Sequence, residues 1–351
     1  IMAYTTINKS TDYFNTKLWT GNATNGRAIT GVGFQPDLAW IKNRSQTDNH
    51  ALFDAIRGAT YRIASNATNV NTQATNSLAS FDSDGFTLND GGDANGNGEN
   101  IVGWNWKANG AGSSNTDGNL TSTVSANTTS GFSIVKYTSN GSGTTIGHGL
   151  GKVPDAILLK NLTGPENWVG NFSAIHPASG NGNNMYLNLT NADQADIQTV
   201  TARNATTFTC ANFGDPANDS GTSNYIAYCF NNVQGYSKFG SYTGNGSTNG
   251  TFVYTGFKPA LVIFKKTSGT GGWNMFDTKR DPFNVQDQIL RANANNAEAS
   301  DSGYSDNDFL SNGFKLRQTW GEMNGSGATY IYMAFAEAPL VGTNNVPANA
   351  R

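Results

Sequence analysis

Short apolar runs separated by polar, glycine-rich stretches recur along the whole chain, the pattern of β-strands joined by tight turns rather than of long helices. Three of these runs are nearly continuous: LAWIK ending at Lys42, AILLK ending at Lys160 and LVIFK ending at Lys265. An apolar run of this length without alternation predicts a strand buried on both faces. Pro36, Pro154 and Pro259 stand at the entries, each 6 positions before its lysine, where a missing amide donor costs no ladder bond. Trp19, Tyr137 and Tyr242, in WTGN, YTSN and YTGN, each precede their proline by 17 positions. Two intervals kept three times define an internal repeat.

The register extends beyond these landmarks. Gly33, Gly151 and Gly256 lie 3 positions before the prolines and predict a shared turn with unusual backbone angles. His50, Trp168 and Trp273 each lie 8 positions past their lysine. The copies realign at Phe86, Phe208 and Phe314, then close on IVGWNWK, YIAYCFN and YIYMAFA, with Trp106, Phe230 and Phe335 in register. The expectation is an all-β fold of three tandem jelly-roll-like β-sandwiches laid end to end, each around its own apolar interior. The first spans residues 1–110, the second residues 111–235 with a leading linker, and the third residues 236–340, followed by a polar tail over 341–351. NHALFDAIRGA reads as a strand entering a loop, since its counterpart WNMFDTKRDPF carries Pro282. Asp54 with Arg57, and Asp277 with Arg280, are expected to be exposed local ion pairs, each worth about 0 to 1 kcal/mol.

Composition narrows the function classes. Only 13% of residues are charged, against about 25% in ordinary soluble domains, so polarity rests on neutral Gly, Asn, Ser and Thr. With 19 Phe, 13 Tyr and 7 Trp the chain has the large side chains to build several cores. A net charge of −3 without a basic stripe argues against a nucleic-acid partner. No apolar run approaches the ~18 residues of a membrane span. The first residues, IMAYTTINKS, lack an apolar signal region, so release by host lysis is expected rather than classical secretion. Cys210 and Cys229 lie in strand-like runs and are expected to be two buried thiols, with a cross-strand bridge as the alternative.

Catalytic signatures are sparse. The three histidines, His50, His148 and His176, occupy unrelated settings without metal-ligand spacing, and no nucleophile elbow or phosphate loop is present. His148 in GHGLGKVP reads as a turn histidine. A glycosidase needs only two carboxylates, and Asp54 and Asp277 are the recurrent acids. Phe172 occupies the middle copy's position, and the adjacent arginines would lower a carboxyl pKa where a general acid needs it raised. No enzyme activity and no catalytic residue are expected. In NDGGDANGNGEN, the residues Asp93, Asn95 and Asn97 match the first half of a calcium loop, but Trp104 stands at the twelfth position; a polar hairpin tip is the alternative to a structural calcium. No other cofactor is expected. Trp320 in RQTWGEMNGSG has no equivalent in the other copies and is the candidate for sugar binding, because variable loops carry function.

GVGFQPDLAWIKNRS, HALFDAIRGA and HGLGKVPDAILLKN resemble a repeat of uncharacterised virion proteins of marine tailed phages, often labelled tail fibres. The resemblance implies a tail fibre, appendage or capsid decoration on the virion surface, contacting other virion proteins and host surface glycans; it carries over no catalytic residue. A homo-oligomer is expected of such a protein. The alternatives are an extracellular lectin-like protein and, less favoured, a polysaccharide-degrading enzyme.

Overall fold

Strand accounts for 45% and helix for 2% of the described residues in the computed structural model, whose sheets are antiparallel. It describes residues 4–141, 143–176, 178, 184–194, 199–211, 218–219, 221–300, 303–342 and 347–349. The same strand order occurs once in each sequence copy. In the first, a larger sheet runs Phe14–Thr20, Asn100–Trp106, Leu38–Asn43, Ala51–Asp54, and a smaller one Arg27–Thr30, Gly85–Leu88, Leu78–Asp82. In the second, Phe132–Thr138, Asn224–Phe230, Ala156–Asn161 and Val169–Phe172 repeat the larger sheet, and Thr144–Gly147, Thr207–Cys210 and Val200–Arg203 the smaller. In the third, Ser237–Thr243, Thr329–Pro339, Phe257–Lys266 and Trp273–Asp277 do the same, beside Phe252–Tyr254, Gly313–Leu316 and Asn307–Leu310. The predicted shared turn is present, since Gly33, Gly151 and Gly256 have φ of 92°, 68° and 83°, angles costly to a residue with a Cβ.

The doubly apolar strands do have two buried faces: every residue of Leu38–Asn43 and of Ala156–Asn161 is buried. One face belongs to a core private to its copy. Phe53, Phe86 and Ile101 lie in the first such core, Ile157, Phe208 and Tyr225 in the second, and Phe264, Phe314 and Tyr330 in the third. The other face meets its counterparts from both other copies in a fourth cluster, which includes Trp40, Trp104, Leu158, Tyr228, Ile263 and Met333. Each copy does enclose an interior of its own, but the end-to-end arrangement is corrected, because a further interior is shared by all three. A strand with two apolar faces needs cover on both, and here the second cover is supplied by the other copies.

Repeat-equivalent residues mark the closure. Trp106, Phe230 and Phe335 meet mutually, with ring centroids 6.5, 5.3 and 5.8 Å apart. Around them run three equivalent backbone bonds: Asn71 N–H to Leu162 O, Asp193 N–H to Thr267 O, and Glu298 N–H to Arg44 O. The acceptors each lie two residues past the repeat lysine. Side chains follow the same cycle, as Trp168 Nε1–H donates to Ala64 O at 2.8 Å and Trp273 Nε1–H to Tyr186 O at 2.9 Å. His50 Nδ1 accepts from Trp40 Nε1–H, which leaves Nε2–H to donate to Arg291 O at 3.0 Å. Second copy binds first, third binds second, and first binds third, so the chain closes on itself as a ring.

Two smaller expectations change with this geometry. The linker within 111–235 is partly structured: Ser113–Asn115 and Ser122–Asn127 add to the edge of the second copy's larger sheet. The recurring ion pairs are not exposed. Asp54–Arg57 and Asp277–Arg280 each have a 2.5 Å contact, with side chains at most 1% exposed, because they sit where one copy covers the next.

Candidate functional site

The titratable groups that recur in the sequence are absorbed by the seams. Lys42, Lys160 and Lys265 are buried, and their ammonium groups donate to backbone carbonyls: Lys160 to Thr68 O of the first copy and Lys265 to Thr190 O of the second, at 3.1 and 3.2 Å. Burial lowers all three pKa values to about 8. Tyr228 of the second copy donates to Asp54 Oδ2 at 2.7 Å, and Trp104 of the first to Asp277 Oδ2 at 3.1 Å. At the third seam the corresponding residues, Met333 and Phe172, are both apolar, so donor and acceptor are absent together. Asp54 and Asp277 are 0% and 1% exposed; neither can reach a polysaccharide.

The histidines are likewise structural in their contacts. Burial, and then nearby Lys42, push His50 down to about 3, which keeps it neutral in the seam. His148 Nδ1 accepts from Leu150 N–H within its turn, as expected of a turn histidine, and burial lowers its pKa. His176 Nδ1 accepts from Phe172 N–H while Nε2 lies 2.9 Å from Asp193 Oδ1. Cys210 and Cys229 are buried free thiols, the first of the two arrangements anticipated. Burial pushes Cys210 up to about 12 and Cys229 higher still.

The half calcium motif does not converge. Asp93 pairs with Arg62 and accepts from Ser77 Oγ. Asn95 is buried, and its Oδ1 accepts from Asn22 N–H and Arg27 Nη1–H. Its Nδ2 donates to Thr24 O and Asn89 O. Asn97 is exposed. Asn324 holds Asn245 N–H in the same way at 3.0 Å, so Asn95 is a repeated latch on the TGN loop. Among the described residues no group of three or more His, Cys, Asp or Glu side chains is placed to hold a metal.

Trp320 is half-buried against the third private core, with the Arg291 guanidinium 5.5 Å over its ring. A more open aromatic surface lies elsewhere in the third copy. Along the strand Phe252–Tyr254 the exposure alternates, with Phe252 44% and Tyr254 47% exposed on the outer face. Pairing of Ile29, Ile146 and Val253 with Phe86, Phe208 and Phe314 aligns the three strands. By that alignment Ala28 and Thr145 correspond to Phe252, and Thr30 and Gly147 to Tyr254. Comparing the copies position by position was the signal that identifies these rings, and it is absent from any single copy.

Tyr254 borders an open trough of about 420 Å³, lined also by Tyr4, Asn232, Gln234 and Lys238. An adjoining trough of about 360 Å³ shares Tyr4, Asn232, Val233 and Gln234 and ends at Lys152. Tyr4 donates its hydroxyl to Gly256 O at 2.7 Å and stands 3.3 Å from the Tyr254 hydroxyl. Burial and the Tyr254 bond raise the Tyr4 pKa to about 12. Lys238 lies 5.6 Å over the Tyr254 ring and donates to Tyr254 O at 3.1 Å.

This is an all-β protein of several antiparallel sheets, with no helix long and apolar enough to cross a membrane among the described residues. The chain belongs to the family described as a domain of unknown function, DUF7483, whose model matches residues 9–339. The matched residues span all three copies. No curated protein matches the sequence.

Proposed function

We propose that the protein is a structural component displayed on the surface of a phage particle, as a fibre, appendage or capsid decoration, and that it contributes to attachment to host glycans. The supporting observation is that the recurrent ionisable groups, the three lysines and the two Asp–Arg pairs, are buried in seams between copies, where they hold an architecture together and face no substrate. Three sandwich-type copies closed on a shared core form a rigid platform, suited to contacts with other virion proteins and to assembly as a homo-oligomer. The resemblance of the repeat to tailed-phage virion proteins points the same way.

The test is labelling of purified particles with an antibody against the chain. Label at a defined position on the particle is the expected result. Particles without label, with the chain confined to the soluble fraction, reject the assignment.

A further inference from the structure

The geometry points to a binding site for an acidic polysaccharide in the trough between Lys152 and Lys238, with Tyr254 and Tyr4 as its aromatic rim and Phe252 exposed beyond it on the same strand face as Tyr254. The site deepens the attachment role proposed above and rests on it. The strand itself does not require large rings at Phe252 and Tyr254, since the first and second copies build it with Ala28 and Thr30, or with Thr145 and Gly147. Keeping two aromatic side chains roughly half in water has a hydrophobic cost, and two adjoining exposed rings at strand positions where the other copies carry small residues are the kind of patch that a ligand covers. Two residues apart on one strand face, the rings are spaced by roughly 7 Å, which suits successive sugars of an extended chain.

The polar groups select the kind of sugar. The residues lining the two troughs include Lys152 and Lys238 and no Asp or Glu, although the chain as a whole has a net charge of −3. Lys152 is exposed. Lys238 has three donors and directs one to Tyr254 O. Nearby acids are already occupied: Asp155 accepts from Ser173 Oγ and Asn232 N–H, and Glu337 pairs with Lys258 at 3.4 Å. Asn232 and Gln234 are exposed amides at the centre of the trough, able to bond hydroxyls. Cationic ends, amides between them and rings for the apolar faces of sugars together match a uronate-bearing chain better than a neutral glucan.

Retention of the full chain in affinity electrophoresis is measured on gels containing alginate, with dextran and poly-glutamate as the neutral and the non-sugar anionic probes. Retention by alginate alone is expected. Tyr254→Ala should weaken it about tenfold, the scale for losing one stacked ring, and Phe252→Ala should act in the same direction. Lys152→Gln combined with Lys238→Gln should remove the preference for alginate over dextran, and Trp320→Ala should change nothing. Absence of alginate retention overturns the inference, as does equal retention by poly-glutamate or by dextran, or retention indifferent to Tyr254→Ala. Both aromatic variants leave the core untouched and are checked by an unchanged Tm. Particles that carry the label without alginate binding would sink this site alone; alginate binding by a chain absent from particles would sink the virion assignment alone.

Discussion

Phe335→Ala is the perturbation that separates one ring from three independent modules. The Phe335 side chain is 1% exposed and packs at centroid distances of 5.2 Å on Phe14, 5.3 Å on Trp106, 5.8 Å on Phe230 and 5.7 Å on Phe239, so it touches rings from all three copies. Truncating a buried phenylalanine costs about 3–5 kcal/mol, transfer and cavity together. At about 2.1 cal/mol/K per residue, unfolding the 351-residue chain as a unit makes a loss of ~4 kcal/mol a fall in Tm of about 5 °C. Scanning calorimetry should show one cooperative transition in the parent and the same single transition, shifted down by that amount, in the variant. Phe314→Ala, in the private core of the third copy, should shift the same transition and leave no part of the molecule at the parent Tm. Several resolved transitions, of which Phe335→Ala moves only one, would refute a shared core.

Asp54→Asn should cost about 3–5 kcal/mol by urea denaturation, because it strands a buried guanidinium; Asp277→Asn should cost less, since Arg280 keeps Glu298 at 2.8 Å. The three seam lysines, at about 8 in the fold against about 10.4 unfolded, make the unfolded chain bind more protons between those values. Stability should therefore rise from pH 7.5 to pH 9.5, and a urea midpoint that stays flat or falls over that range would contradict the buried ammonium sites. Cys210 and Cys229, buried and with raised thiol pKa values, should resist Ellman's reagent in the native protein and react together on unfolding; fast reaction of either at pH 8 would place it at the surface.

Much of the strand architecture was legible in the sequence, because Pro36 and Pro154 fall just before the strands they announce. Pro259 instead lies inside Phe257–Lys266, at an irregularity in the pairing with Thr329–Pro339, where a missing amide donor is tolerated. The runs ending at Lys42 and Lys160 are buried throughout. Their second apolar face was legible too, but not what covers it: an apolar face looks the same whether it meets a neighbouring sheet of its own copy or the sheets of two others. The ion pairs failed for the same reason, since the spacing of Asp54 and Arg57 defines a local contact while burial comes from Tyr228, 174 residues away. Asn95 resembled a calcium ligand because its partners Asn22 and Arg27 lie about 70 positions distant. Trp320 stands out in the sequence because it is unique to its copy, whereas Phe252 and Tyr254 sit in an alternating run that any half-buried strand would show.

Expression of residues 111–235 alone is the most direct trial of closure. Without Trp106 and Phe335 against Phe230, and without Ala64 O to receive Trp168 Nε1–H, this segment should lack a cooperative thermal transition and bind a hydrophobic dye. A sharp transition with native-like near-ultraviolet circular dichroism would mean that the middle copy is complete by itself, and the ring would be an arrangement of finished domains.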